Sequence, residues 1–159
     1  MAGKKRSSRP EPKATAADAE IVMRLFEFRR DETMRKARNY VTFEFSPRTN
    51  EELLSVLGAF GTPEQTYWRM VSSYWEQAAS LVNRGAVHAG LFDDWANELY
   101  FLYAKYKEFL PAVRANMNPT AWQNIEKLAN RSAETRERVA RMEKMIAERM
   151  RPRAAKTGS

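Results

Sequence analysis

Cysteine is absent, histidine occurs once, as His88, and only six glycines punctuate the 159 residues. Without thiols, no disulfide framework, thiol nucleophile, iron–sulfur cluster or thiolate zinc site can be built. A single imidazole leaves no histidine pair for zinc and no Glu-x-x-His repeats for a di-iron bundle. Neither a phosphate-cradling Gly-rich loop nor a nucleophile elbow occurs, and Gly58 and Gly61 read as closing a helix. No run of about 18 apolar residues exists, and the basic opening MAGKKRSSRPEPKA leads into no apolar stretch, so neither a membrane span nor a secretory signal is expected. Lipid anchors fail as well, since position 2 is Ala and no thiol is present for acylation or prenylation. The expectations that follow are a cytoplasmic protein with no metal and no cofactor.

What is abundant is positive charge, a formal +7 with a pI near 9.8. Such a balance suggests nucleic acid until its location is examined. Residues 1–17 carry Lys4, Lys5, Arg6, Arg9 and Lys13 against Glu11, a local +4, and residues 149–159 carry Arg149, Arg151, Arg153 and Lys156, another +4. The body between them is left at −1, so the charge implies no folded basic groove. Residues 1–16 and 152–159 are expected to be disordered basic tails, with at most weak, salt-sensitive contact to anionic lipid or nucleic acid.

Between the tails every periodic segment has a helical repeat. Ile21, Val22, Leu25 and Phe28 share a face after the possible cap Asp18. Continuing that phase would bury Glu32 and Arg35, so the helix must break near Asp31, which caps a second one presenting Met34, Ala37 and Val41. Thr42–Phe45 reads as a frayed helix end with Phe43 and Phe45 turned inward, stopped by Pro47. A short helix from Asn50 buries Leu53, Leu54 and Leu57. Thr62-Pro63-Glu64-Gln65 combines a hydroxyl cap, Pro in the first turn and Gln at the reciprocal capping position, which predicts a helix over 63–83 with Gly85 as its left-handed stop. The spacing from Leu91 through Trp95, Leu99 and Tyr106 predicts a helix over 91–110, kinked or ended by Pro111. Asn118-Pro119 reads as the start of another, to Asn130. After Ser132 the apolar residues thin to a narrow seam of Val139, Met142, Ile146 and Met150 among charges.

The fold expectation is one all-α bundle of about six helices over residues 17–131, with a peripheral amphipathic helix over 132–151. With these helices placed, the run YWRMVSSYWEQAASLVNRGAVHAGLFDDW, an aromatic helix and LPAVRANMNPTAWQNIEKLANR follow one another, with ARNYVTFEF upstream. This order, carried by Tyr74, Trp75, Glu76, Gly85, Pro111, Arg114, Trp122 and Glu126, resembles a bacterial domain family of unknown function over about residues 20–131. The resemblance implies a small helical bundle and no reaction.

Several polar groups compete for a functional reading. Glu76 shares its helix face with Arg69, Ser73, Ser80 and Arg84. It is expected to be half-buried and ion-paired to Arg69, Arg84 or Arg114, with a ligand-binding or general-base role as the alternative. Tyr100, Tyr103 and Tyr106 need hydroxyl partners and are candidates to rim a pocket. Asp93, Asp94 and Glu98 read as a solvated face matched to a helix dipole, and His88 as a turn or capping residue. Twelve of the 18 aromatics fall between Tyr67 and Trp122 at core spacing. Three function classes follow. The first is a noncatalytic interaction or scaffold module, meeting a protein partner or a second copy through the seam of the C-terminal helix. The others are a peripheral lipid or nucleic-acid binder using the tails, and a small-ligand binder or enzyme with a pocket near Glu76.

Overall fold

A computed structural model describes residues 12–150 of the chain. The expected tails therefore lie outside the described residues apart from 12–16, and so does the side chain of the seam residue Met150. The described residues form nine α-helical segments, six of them eight residues or longer: α1 (Ala16–Phe28), α2 (Glu32–Asn39), α3 (Asn50–Gly58), α4 (Pro63–Asn83), α5 (Ala89–Asp93), α6 (Asn97–Tyr106), α7 (Leu110–Asn116), α8 (Gln123–Ala129) and α9 (Ala133–Met150). No strand occurs among them.

Local chemistry explains the starts and stops. Thr15 and Asp18 form a reciprocal capping box, so Asp18 is the third helical residue of α1 rather than its cap. Asp31 accepts the amide of Met34 and begins α2, at the break that the phase slip demands. Gly61 and Gly85 take the left-handed backbone, φ 87° and 75°, that ends the turns before and after α4. At that helix's start Thr62 caps the amide of Gln65 at 3.3 Å, but the reciprocal bond is not made. The Thr62 amide instead donates to the carbonyl of Ala59, leaving the Gln65 side chain free to point elsewhere.

Four expectations need correction. The 91–110 helix is two helices, α5 and α6, parted at Asp94–Ala96, with Trp95 partly exposed and edge-on to Phe26 of α1. Pro111 ends nothing: it lies in the first turn of α7, where its missing N–H has no intrahelical partner to lose. Asn118 does not cap a helix at Pro119. Its side chain closes a turn onto Thr120, Trp122 adopts φ 55°, and α8 begins only at Gln123. The fourth difference is at Tyr40–Glu44, a π-helical turn whose extra residue buries Val41 and Thr42 and turns Phe43 outward, 66% exposed rather than inward.

α4 is the spine. Its backbone packs against α2, α3 and α8, while α6 packs against α8 and α9. α4 and α6 meet through large side chains: Trp68 lies edge-on to Tyr106 at 4.8 Å and parallel to Trp122 at 5.6 Å. α9 is more deeply seated than its thin seam suggests. Thr135 and Val139 are buried, and Met142 and Ile146 pack against the core.

Candidate functional site

Glu76 lies half-buried on α4 and faces the first turn of α8. One carboxylate oxygen accepts the amide and the side-chain Nδ2 of Asn124, at 2.9 and 2.8 Å, and the other accepts the amide of Ile125 at 3.1 Å. These are amides that a helix start leaves without intrahelical acceptors, and Trp122, at the cap position, has no side-chain oxygen to offer. A carboxylate from 48 residues away supplies the cap. The expected ion pairs of Glu76 with Arg69, Arg84 or Arg114 are not formed. Arg114 instead holds the carbonyl of Ala121 and pairs with Glu126 at 2.8 Å, and Arg84 closes the C-terminus of α4. Among the described residues the Arg69 guanidinium has neither a hydrogen-bond nor an ion-pair partner, and the residue is exposed.

The acids read as solvated are mostly engaged. Glu98 accepts Arg38 Nη2 at 2.6 Å, Arg29 Nη2 at 3.1 Å and the indole N–H of Trp75 at 3.0 Å. Burial alone would raise the Glu98 carboxyl, but Arg38, Arg29 and the indole outweigh it and hold it below the usual carboxylate range. Asp93 is buried, accepts the Tyr100 hydroxyl and pairs with Arg131; only Asp94 faces solvent. Tyr100, Tyr103 and Tyr106 are all buried, and of the three Tyr106 lines a cleft. Burial, and for Tyr100 also Asp93, pushes the Tyr100 and Tyr106 hydroxyls well above the ordinary phenol value. The Tyr106 hydroxyl donates to the carbonyl of Val41, and that of Tyr103 accepts Asn130 Nδ2.

Two groups with the reactivity for chemistry are tied down. Burial lowers Lys105 to about 8, yet its Nζ lies 3.1, 2.9 and 2.6 Å from the carbonyls of Val41, Thr42 and Phe45, so it fastens the π-helical turn to α6. His88 Nδ1 accepts the amide of Leu91 and caps α5, as its position predicts. Among the described residues no group of three His, Asp or Glu side chains could hold a metal ion.

Among the described residues, two of the larger concavities combine apolar surface with charged side chains. A cleft of about 630 Å³ lies between α3, α4, α7 and the turn before α8, floored by Leu57, Trp68, Tyr106, Leu110 and Trp122 and edged by Gln65, Arg69 and Glu76. Periodicity places Arg69 and Glu76 here but misses Gln65. The available signal is the polar stripe Gln65, Arg69, Ser72, Glu76, which recurs at helical spacing beside aromatics. A groove of about 610 Å³ runs along α9, with Phe43, Phe101, Met142 and Met145 lining it and Arg138, Arg141 and Arg149 beside them.

A family model described as a domain of unknown function (DUF4760) matches residues 14–132, three quarters of the chain. The chain belongs to that family. The DUF4760 match begins beside the Thr15 cap and stops at the residue before α9, so the groove along α9 is built partly from outside it. No curated protein and no solved structure matches the chain. No helix among the described residues is long and apolar enough to cross a membrane.

Proposed function

We propose that this DUF4760 protein is a noncatalytic interaction module whose α9 groove receives an acidic amphipathic helix of a partner protein. The observation that carries the reading is the pairing of exposed apolar side chains with unopposed positive charge. Phe43 is 66% and Met145 38% exposed, Phe101 and Met142 lie beneath them, and Arg141 and Arg149 flank them. Glu98 also borders the groove, but Arg29 and Arg38 neutralise it. Of the seam residues, Val139 is buried and Ile146 packs against the core, while Met142 packs against the core and also lines the groove, next to the exposed Met145. π-Helical turns recur at functional sites because they redirect a side chain, and here the turn presents Phe43. The noncatalytic part rests on the engagement of Lys105, His88 and Glu76 in structural bonds.

Acidic helix-in-groove recognition is testable with fluorescein-labelled helical peptides of Leu/Glu and Leu/Lys pattern, followed by anisotropy. The Leu/Glu peptide is expected to bind and the Leu/Lys peptide not to. Arg141→Glu and Met145→Glu, both at exposed positions, should each weaken binding at least about tenfold. Equal binding of both peptides, or indifference to both substitutions, would overturn the proposal. A dimer in sedimentation that Arg141→Glu dissolves would instead give the groove to a second copy.

A further inference from the structure

The cleft between α3, α4 and α7 shares no lining residue with the α9 groove. Its polar groups are unevenly satisfied. Ser72 accepts the indole N–H of Trp122, Ser73 donates to the carbonyl of Arg69, and Glu76 is taken by α8. Gln65 and Arg69 are not. Gln65 is only 7% exposed and lines the cleft, and its side-chain amide has no hydrogen-bond partner among the described residues, since the Thr62 amide that a capping box would offer is already bonded to Ala59. The polar atoms of that side chain are not sealed in the core but reach the cleft, so the amide is available to a bound molecule. Arg69 lies one helical turn further along α4, on the same face, with no acid against it. Beside this pair the surface is apolar, from buried Leu57 and Leu110 to the exposed Phe60 at the mouth.

An amide that both donates and accepts, a free guanidinium one turn away and an apolar floor describe one ligand chemistry. We infer that the cleft binds a small amphipathic organic acid, its carboxylate on Arg69 and Gln65 and its apolar body against Leu57 and Leu110. The volume lies within the roughly 300–1,000 Å³ typical of small-molecule sites. A cation is disfavoured, because Arg69 repels it and the one neighbouring carboxylate, Glu76, already accepts three hydrogen bonds. A purely apolar ligand would leave Gln65 unpaired.

Calorimetric titration of the full chain with decanoate, decanol and decylamine separates these cases. Decanoate is expected to bind with one-to-one stoichiometry and to change tryptophan emission through Trp68 and Trp122, with decanol weaker and decylamine weakest. Arg69→Gln, an exposed change, should weaken decanoate about tenfold, the loss of one charge-assisted contact, while leaving decanol unchanged. Gln65→Leu should weaken decanoate and strengthen decanol. If the three ligands bind alike, if none binds, or if Arg69→Gln moves decanoate and decanol equally, the assignment is wrong.

Discussion

Glu98 is the residue on which most of the buried charge converges. It joins Arg29 after α1, Arg38 of α2 and Trp75 of α4 to α6, and Arg29 also stacks over the Trp75 ring at 5.2 Å. Breaking one partner out of a buried ion network costs more than the network contributes over a hydrophobic equivalent, because the remaining charges stay desolvated. Glu98→Gln keeps the shape but leaves two guanidiniums without an anion, and should lower unfolding stability by about 2–4 kcal/mol at neutral pH. The pH dependence has a definite sign. A carboxyl held low in the folded state contributes stability that is complete above its unfolded value and disappears as pH falls through the folded one. Urea midpoints of the wild type and Glu98→Gln should therefore differ most near neutrality, begin to approach one another as pH falls below the ordinary glutamate value of about 4.3, and meet only below the depressed folded value. A gap that stays constant on acidification would show that the substitution acts through packing. None of this is visible in the local sequence, where Asp93, Asp94 and Glu98 have the look of a solvated face. The arginines that decide otherwise lie 60 and 69 residues away.

Among the elements, α4 and α8 mark the two ends of legibility. α4 carries its own punctuation, Thr62-Pro63 at one end and Gly85 at the other, and its observed bounds are those the sequence implies. α8 carries misleading punctuation. Asn118-Pro119 has the form of a helix start, yet the chain reverses through a left-handed Trp122, a conformation no sequence signal announces, and the cap arrives from α4. The α5–α6 break is hidden similarly, because apolar periodicity runs on through Trp95 while the backbone does not. Glu76 was legible as an important half-buried acid, but its partners were not, since backbone amides leave no mark in a sequence. The role found for it predicts that Glu76→Ala costs about 1–2 kcal/mol, the scale of a lost charged cap. Hydrogen exchange should quicken first at the amides of Asn124 and Ile125, and Glu76→Gln, which keeps an acceptor, should fall between. Uniform acceleration across α4 and α8 would contradict a capping role.

For the whole molecule, the family match and the physical core have different limits. The match stops at residue 132, and the thin apolar seam beyond it suggests an appendage, but the packing makes α9 part of the globule. Thr135 and Val139 are 1% and 4% exposed, Arg138 donates to the carbonyl of Asp93 at 2.8 Å and lies over the ring of Tyr100 at 5.0 Å, and Lys107 pairs with Glu143. Tyr100 and Asp93 are themselves a buried pair, so stripping Arg138 away opens a polar contact to water as well as apolar surface. Losing one fully buried valine and two partly buried long side chains forfeits about 4–6 kcal/mol at the usual 25 cal/mol per Å², against a total stability of about 5–15 kcal/mol for a domain. A chain ending at Ser132 should therefore unfold at a markedly lower urea concentration or lose its near-ultraviolet dichroism, which reports the packed aromatics. Val139→Ala within the full chain should show the same direction at about 1–2 kcal/mol. If the shortened chain unfolds cooperatively at the full-length midpoint, α9 is an appendage after all, and the groove between it and Phe43 would have no fixed geometry with which to select a partner.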